Sequence, residues 1–222
     1  MTRAKICGIT GREDLRTAVE AGADAIGLLV DVPVDSPREI APRVAADLAA
    51  AAPPFVTTVL VTMSDSPGSV AELARTVGVD AVQVHGDLEV GDLAYLTSSV
   101  DAKVLKTVDA ADPERARRYD EVADALLVDS VDADGAGGTG RTHDWERTAD
   151  VAADLDSPVV LAGGLTPENV GAAVRAVDPF AVDVASGVER EDPDETAGGR
   201  KDPEAVASFV TNAERAEPAP KP

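Results

Sequence analysis

The chain's one cysteine, Cys7, stands in the run Lys5-Ile6-Cys7-Gly8-Ile9-Thr10. A thiolate is a competent base, and a cation nearby lowers the thiol's pKa. Lys5 is two residues away, so on a strand its side chain shares a face with Cys7. The alternative is an inert buried thiol, because free cysteine packs as a small hydrophobe. Asp129 closes the apolar run Ala125-Leu126-Leu127-Val128. A carboxyl at the mouth of an apolar strand is desolvated, which raises its pKa and lets it hold a proton for general acid work. The competing role is that of a loop-capping aspartate. Asp183 ends a later apolar run and is the rival acid.

Other residue types suit the binding of anions. The turns Ala162-Gly163-Gly164-Leu165 and Ala185-Ser186-Gly187-Val188 let backbone N–H groups approach phosphate oxygens, helped by the partial charge of a following helix. Two ordinary turns would carry the same glycines. Arg38, in Ser36-Pro37-Arg38, offers a fork that matches a carboxylate; alone on a surface it would mean little. His85 and His143 are far apart and unaccompanied, so no metal site is expected, and their default role is structural or second to the residues that touch a ligand.

Such residues must be brought together by a scaffold. Short β-branched runs over 4–7, 24–30, 55–62, 80–84, 102–107, 123–129, 158–162 and 180–184 alternate with Ala-rich amphipathic stretches. Strands buried by crossover helices read this way. Eight units in 222 residues predict an α/β fold, a single (βα)8 TIM barrel, with residues 1–214 as one catalytic domain and 215–222 as a flexible tail. In such a barrel the C-terminal strand ends converge on one face, and the residues singled out above sit at those ends. Ser36-Pro37, Ser66-Pro67, Thr166-Pro167 and Asp202-Pro203 each read as a helix start, which would put Arg38 in the first turn of the second helix. Gly22 with Asp24, and Gly78 with Asp80, read as repeated helix-to-strand junctions on the opposite, stabilising face. Two segments break the rhythm: glycine-rich 131–141, expected to be a loop over the active face, and acidic 189–200, expected to be a surface insertion.

With 20 Lys+Arg against 41 Asp+Glu the net charge is −21, which disfavours binding to nucleic acid or to an anionic membrane. One cysteine permits no internal disulfide, and neither a signal peptide nor a long apolar span is visible, so a cytoplasmic location is expected. At 3% aromatics the core must be aliphatic.

Taken with Gln83-Val84-His85-Gly86, Gly137-Gly138-Thr139-Gly140 and Asp183-Val184-Ala185-Ser186-Gly187-Val188-Glu189, these motifs closely resemble the phosphoribosylanthranilate isomerase family from Lys5 to about Phe209. The resemblance implies an Amadori rearrangement of N-(5′-phosphoribosyl)anthranilate in tryptophan biosynthesis, without a cofactor. It makes Cys7 the general base and Asp129 the general acid. It gives Arg38 the anthranilate carboxylate and places Gly164, Ser186 and Gly187 in the phosphate-binding turns, beside Gly163. Lys5, His85 and Asp183 are then expected beside the substrate, Asp183 as a positioning group. The expected partner is a small phosphosugar, bound by a monomer. Leu28-Leu29-Val30 departs from the family, which often carries an aromatic there, and Arg141 stands where a lysine is common. The alternatives are another phosphosugar barrel enzyme, or a barrel that binds phosphosugar without turning it over.

The surplus of 21 negative charges is read as a solvated surface suited to salt. Screening shrinks the Debye length from about 10 Å at 0.1 M to about 3 Å at 1 M, which removes most long-range self-repulsion. The melting temperature should therefore climb with KCl between 0.1 and 2 M; a flat or falling curve in thermal scans would refute a salt adaptation.

Overall fold

The computed structural model describes residues 1–129, 145–190 and 199–216. Eight strands, β1 (Arg3–Cys7), β2 (Ala25–Leu29), β3 (Thr57–Thr62), β4 (Ala81–Val84), β5 (Lys103–Asp109), β6 (Ala125–Asp129), β7 (Val159–Ala162) and β8 (Ala181–Val184), pair in parallel and in chain order into a closed barrel. Each is followed by a helix: α1 (Arg12–Glu20), α2 (Pro42–Ala49), α3 (Pro67–Val77), α4 (Val90–Ser99), α5 (Pro113–Asp120), α6 (Trp145–Ala153), α7 (Val170–Val177) and α8 (Pro203–Arg215). A short 3-10 helix, Ser186–Val188, follows β8. All eight expected strands are present, with ends within two residues of those expected. The glycine-rich segment 131–141, with His143, and the tail from 217 lie outside the described residues. Among the described residues no helix is long and apolar enough to cross a membrane.

The strands bury both faces. Outward-facing residues such as Ile6, Ile26, Leu60, Val82, Leu126 and Val182 pack against the helices in one large aliphatic cluster. Inward-facing residues form stacked layers drawn from alternate strands, as the paired registers require. One layer holds Lys5, Val59, Leu105 and Val160. The next holds Gly27, Gln83, Leu127 and Asp183, and the layer above it holds Cys7, Val61, Thr107 and Ala162. The polar residues thus cluster toward the C-terminal ends.

The opposite face is held by the junctions read from the sequence. Gly22 and Gly78 have φ of 87° and 73°, the left-handed turn that ends a helix without a Cβ penalty. Asp24 then accepts the Ala4 N–H at 2.9 Å, and Asp80 accepts the Thr58 N–H at 2.8 Å and its hydroxyl at 2.7 Å. Asp124 repeats the device on Val104 at 2.8 Å. Each aspartate fastens the strand preceding its own to the barrel floor.

Two of the four expected helix starts are corrected. Ser66 and Asp202 do cap α3 and α8 with their side chains. Ser36-Pro37 instead opens a turn in which the Arg38 N–H donates to Ser36 Oγ at 3.3 Å, and α2 begins only at Pro42. Serine and proline favour such turns as readily as helix starts, and here Ile40 donates to the Leu29 carbonyl, which keeps the chain alongside β2. Thr166-Pro167 likewise opens a turn, closed by Asn169 Oδ1 accepting the Thr166 N–H at 2.8 Å, before α7 starts at Val170.

Candidate active site

Lys5 is almost fully buried inside the barrel, where its ammonium donates to Asp183 Oδ1 at 2.8 Å and to Gln83 Oε1 at 2.9 Å. Burial alone would lower its pKa, but the Asp183 carboxylate and the nearby Cys7 outweigh burial and raise it. Cys7 sits in the layer above, over Gly27: a Cβ on that glycine would come within 2.7 Å of the Cys7 sulfur. The absent side chain at Gly27 is what makes room for the thiol, a role no local signal in the sequence announced.

The Cys7 thiol is not acidified as expected. Burial pushes its pKa up and Asp183 adds to the rise, while Lys5 and Lys201 work against them without prevailing. Lys5 is a real neighbour and the strongest of the opposing charges, but it does not offset burial. At neutral pH Cys7 is therefore a protonated thiol.

Asp129 ends β6, and its carboxyl is pushed up to about 6, first by burial and then by the carboxylates of Asp183 and Asp109. Its Oδ1 is buried and has no hydrogen-bond partner among the described residues. A polar atom enclosed in protein without a partner is costly. His85 follows β4, accessible but crowded, and burial followed by the Lys106 charge lowers its pKa, so its imidazole is neutral.

The two glycine turns meet. Gly163 and Gly164 have φ of 90° and 57°. A Cβ at Gly187 would lie 2.0 Å from the Leu165 carbonyl oxygen, so only glycine lets the turn after β8 press against the turn after β7. Asn169 steadies the first turn by donating to the Gly164 carbonyl at 2.9 Å.

Arg38 lies in the turn after β2, and its guanidinium pairs with Glu189 through Nε at 2.6 Å and Nη2 at 2.9 Å. Lys201, wholly buried, joins the same carboxylate at 2.9 Å. The expectation of a mere surface insertion at 189–200 is therefore corrected at its two ends: Glu189 bridges to Lys201 in antiparallel fashion, and both face the site. Residues 191–198 lie outside the described residues. Among the described residues no cluster of three or more His, Cys, Asp or Glu is placed to hold a metal ion.

Residues 4–212 match the protein family described as N-(5′-phosphoribosyl)anthranilate (PRA) isomerase. The chain belongs to this family. A relative named N-(5′-phosphoribosyl)anthranilate isomerase, from Halorubrum lacusprofundi, is 58% identical over 215 residues, covering 97% of this chain and 98% of the relative. The crystal structure of phosphoribosyl anthranilate isomerase from Thermotoga maritima superposes with a TM-score of 0.84 at 38% identity, covering 96% of this chain and 99% of that one. Another solved phosphoribosyl anthranilate isomerase, with a TM-score of 0.80, 37% identity and coverage of 96% and 99%, is in complex with reduced 1-(o-carboxyphenylamino)-1-deoxyribulose 5-phosphate.

In this isomerase-family barrel, the described residues that the sequence marked lie at or toward the C-terminal face: Cys7 at the end of β1, Arg38 after β2, His85 after β4, Asp129 at the end of β6, Gly163 and Gly164 after β7, Asp183 from β8, and Ser186 and Gly187 after it, with Lys5 deeper in the barrel beneath Cys7. Leu29 packs beside Cys7, so the departure from an aromatic leaves an aliphatic wall there.

The environment of Asp129 fixes a pH signature of stability. Its folded pKa of about 6 exceeds the ordinary 3.8, so the ionised carboxylate penalises the folded state above pH 6, and the penalty fades as pH falls toward 3.8. Asp129→Asn should accordingly melt a few degrees above the parent at pH 7.5, with the gap shrinking between pH 6 and pH 4. Thermal melts at fixed KCl across that range check it.

Proposed function

We propose that this chain converts N-(5′-phosphoribosyl)anthranilate to 1-(2-carboxyphenylamino)-1-deoxyribulose 5-phosphate, the Amadori step of tryptophan biosynthesis, within one catalytic domain of a single chain in the cytoplasm. The observation that carries the reading is a carboxyl with its pKa about 6 and an oxygen without a partner among the described residues, on the same barrel face as a buried thiol above a lysine.

In this reading Asp129 is the general acid. It gives its proton to the furanose ring oxygen, the bond from C1′ to that oxygen breaks, and the anilino nitrogen supplies the electron pair that forms an iminium. The iminium acidifies the hydrogen on C2′. Cys7, as thiolate, takes that hydrogen, and the electron pair left on C2′ neutralises the iminium to an enolamine. The enolamine then tautomerises to the ketone, its hydroxyl proton being lost as C1′ gains one. Protons and electrons balance within the substrate and the two side chains, so the step requires no cofactor.

The raised pKa of Cys7 is compatible with this order of events. The base is needed only once the ring has opened, and the iminium's positive charge then favours the thiolate alongside Lys5 and Lys201. Arg38 takes the anthranilate carboxylate, and the turns carrying Gly163, Gly164, Ser186 and Gly187 take the phosphate through backbone N–H groups, a local solution to anion binding in a chain of net charge −21. Asp183 positions Lys5, and His85 offers a neutral imidazole at the rim. A histidine-pathway isomerase would carry an aspartate at the end of strand one, where this chain has Cys7.

Turnover is checked by the loss of phosphoribosylanthranilate fluorescence in molar KCl. Cys7→Ala should lower kcat about 10²-fold or more with a small change in KM, because the thiolate acts in the transition state. A near-normal rate would return Cys7 to inert packing, and binding without turnover by the parent chain would make this a non-catalytic barrel.

A further inference from the structure

Arg38 is gripped along its whole length. Its aliphatic stem runs between Gly8 and Gly199, both in the left-handed region at φ of 78° and 95°. A Cβ at Gly8 would stand 2.7 Å from Arg38 Cδ, and one at Gly199 would stand 3.3 Å from Cγ. At the head, Glu189 Oε1 meets Nε at 2.6 Å and Oε2 meets Nη2 at 2.9 Å. Glu189 is itself anchored, since Lys201 Nζ donates to its Oε1 at 2.9 Å and to the Ala185 carbonyl at 3.1 Å. The Lys201 N–H donates to Asp14 Oδ1 at 3.0 Å, and Asp14 Oδ2 accepts from the Thr10 hydroxyl at 2.7 Å. A continuous run of bonds thus ties the loops after β1, β2 and β8 to one guanidinium.

A guanidinium has two edges that fit a carboxylate side by side. Glu189 occupies the lateral one, made by Nε and Nη2. The end edge, Nη1 with the remaining proton of Nη2, is engaged by none of the described residues. We propose that Glu189 is a positioning residue for substrate recognition: by holding the lateral edge of Arg38 it presents the end edge, pre-oriented, to the carboxylate of the substrate. The proposal rests on the reading of Arg38 as the carboxylate receptor.

The charge balance allows a carboxylate to stand so close to an anionic ligand. Arg38 and Lys201 together carry two positive charges against one on Glu189, so the cluster keeps a surplus of one positive charge. Glu189 stays ionised: burial opposes it, but Arg38 and Lys201 outweigh burial and hold its pKa below the usual range. Its task is geometric. An arginine left free must be immobilised when the ligand binds, and ordering one such side chain weakens binding by about 3–10-fold.

Electrostatics and positioning predict opposite signs for one substitution. Glu189→Gln removes a negative charge beside an anionic ligand, so charge alone would tighten binding. Positioning predicts that it weakens binding, and only for ligands that carry the carboxylate.

The experiment measures the dissociation constants of two stable ligands by calorimetry in molar KCl: reduced 1-(o-carboxyphenylamino)-1-deoxyribulose 5-phosphate and its phenylamino counterpart without the carboxylate. For Glu189→Gln the preference for the carboxylated ligand should fall about 3–10-fold. Glu189→Asp, which keeps the charge but shortens the reach, should lose preference in the same direction, and thermal melts select variants that remain folded. Adding Arg38→Ala to Glu189→Gln should cost no more preference than Arg38→Ala alone. A preference that rises or stays constant in Glu189→Gln, or equal weakening of both ligands, overturns the proposal. If Arg38→Ala itself leaves the preference intact, the reading of Arg38 fails and the proposal falls with it; if Arg38→Ala abolishes the preference while both Glu189 variants keep it, only the role of Glu189 is lost.

Discussion

The arrangement of the site depends on one charged pair inside the barrel, Lys5 with Asp183. An ammonium and a carboxylate taken out of water cost several kcal/mol apiece, and the cost is met only when partners complete the geometry. Here Gln83 supplies the third contact and passes a hydrogen bond on to the Thr107 hydroxyl at 3.2 Å, so the pair belongs to a network spanning β1, β4, β5 and β8. Because the pair is nearly neutral as a unit, it can lie beneath Cys7 without dictating the thiol's protonation. Burial therefore prevails at Cys7, and in the mechanism proposed above it is the substrate's iminium that tips the thiol toward thiolate.

The same carboxylate acts on the other side of the barrel. Asp183 adds to the rise in the pKa of Asp129, so a single charge at the end of β8 favours the protonated form of the acid and opposes ionisation of the thiol. Burial is the larger cause at both groups, and Asp183 adds to it: the thiol is protonated at neutral pH, whereas the Asp129 carboxyl, with its pKa of about 6, keeps a protonated fraction there that an ordinary carboxylate would lack. Around this centre, cations are used locally: Lys5 within the barrel, Arg38 and Lys201 at its rim. A surface dense in acids and a site that favours anions coexist because the site's cations are buried, and screening acts least there.

Much of the scaffold was legible because its signals are local. Strands buried on both faces must be apolar throughout, so the runs from β1 to β8 stood out, and the glycine-aspartate junctions at Gly22 and Gly78 declared the floor of the barrel. Residue types at strand ends then nominated Cys7, Asp129 and Asp183. What stayed hidden is long-range. Lys5 is two residues from Cys7 in sequence, whereas the burial that raises the thiol's pKa comes from strands far along the chain, and the Asp183 carboxylate that adds to it is 178 residues from Lys5. Glu189 and Arg38 are 151 residues apart, and no spacing rule joins them. Gly27 matters for what it lacks, which only the packing of Cys7 against it reveals. Ser36-Pro37 was ambiguous for a local reason, since one dipeptide serves turns and helix starts alike.

The two faces of the barrel divide stability from chemistry in physical terms. At the C-terminal face the chain holds a buried carboxyl oxygen without a partner among the described residues and a lysine out of water, each of which costs folding free energy. At the N-terminal face Asp24, Asp80 and Asp124 each satisfy the N–H of a strand's second residue, and between the two faces the aliphatic shell is packed by helices on every side. A barrel permits this division because its strands run from one face to the other. Each strand is fixed at its first residues and by the shell along its length, so its last residue can be held in an environment that would not fold alone. Asp129 is the clearest instance: Leu126 and Val128 anchor β6 outward in the shell and Leu127 fills the barrel below, and the carboxyl one residue on is left where burial raises its pKa.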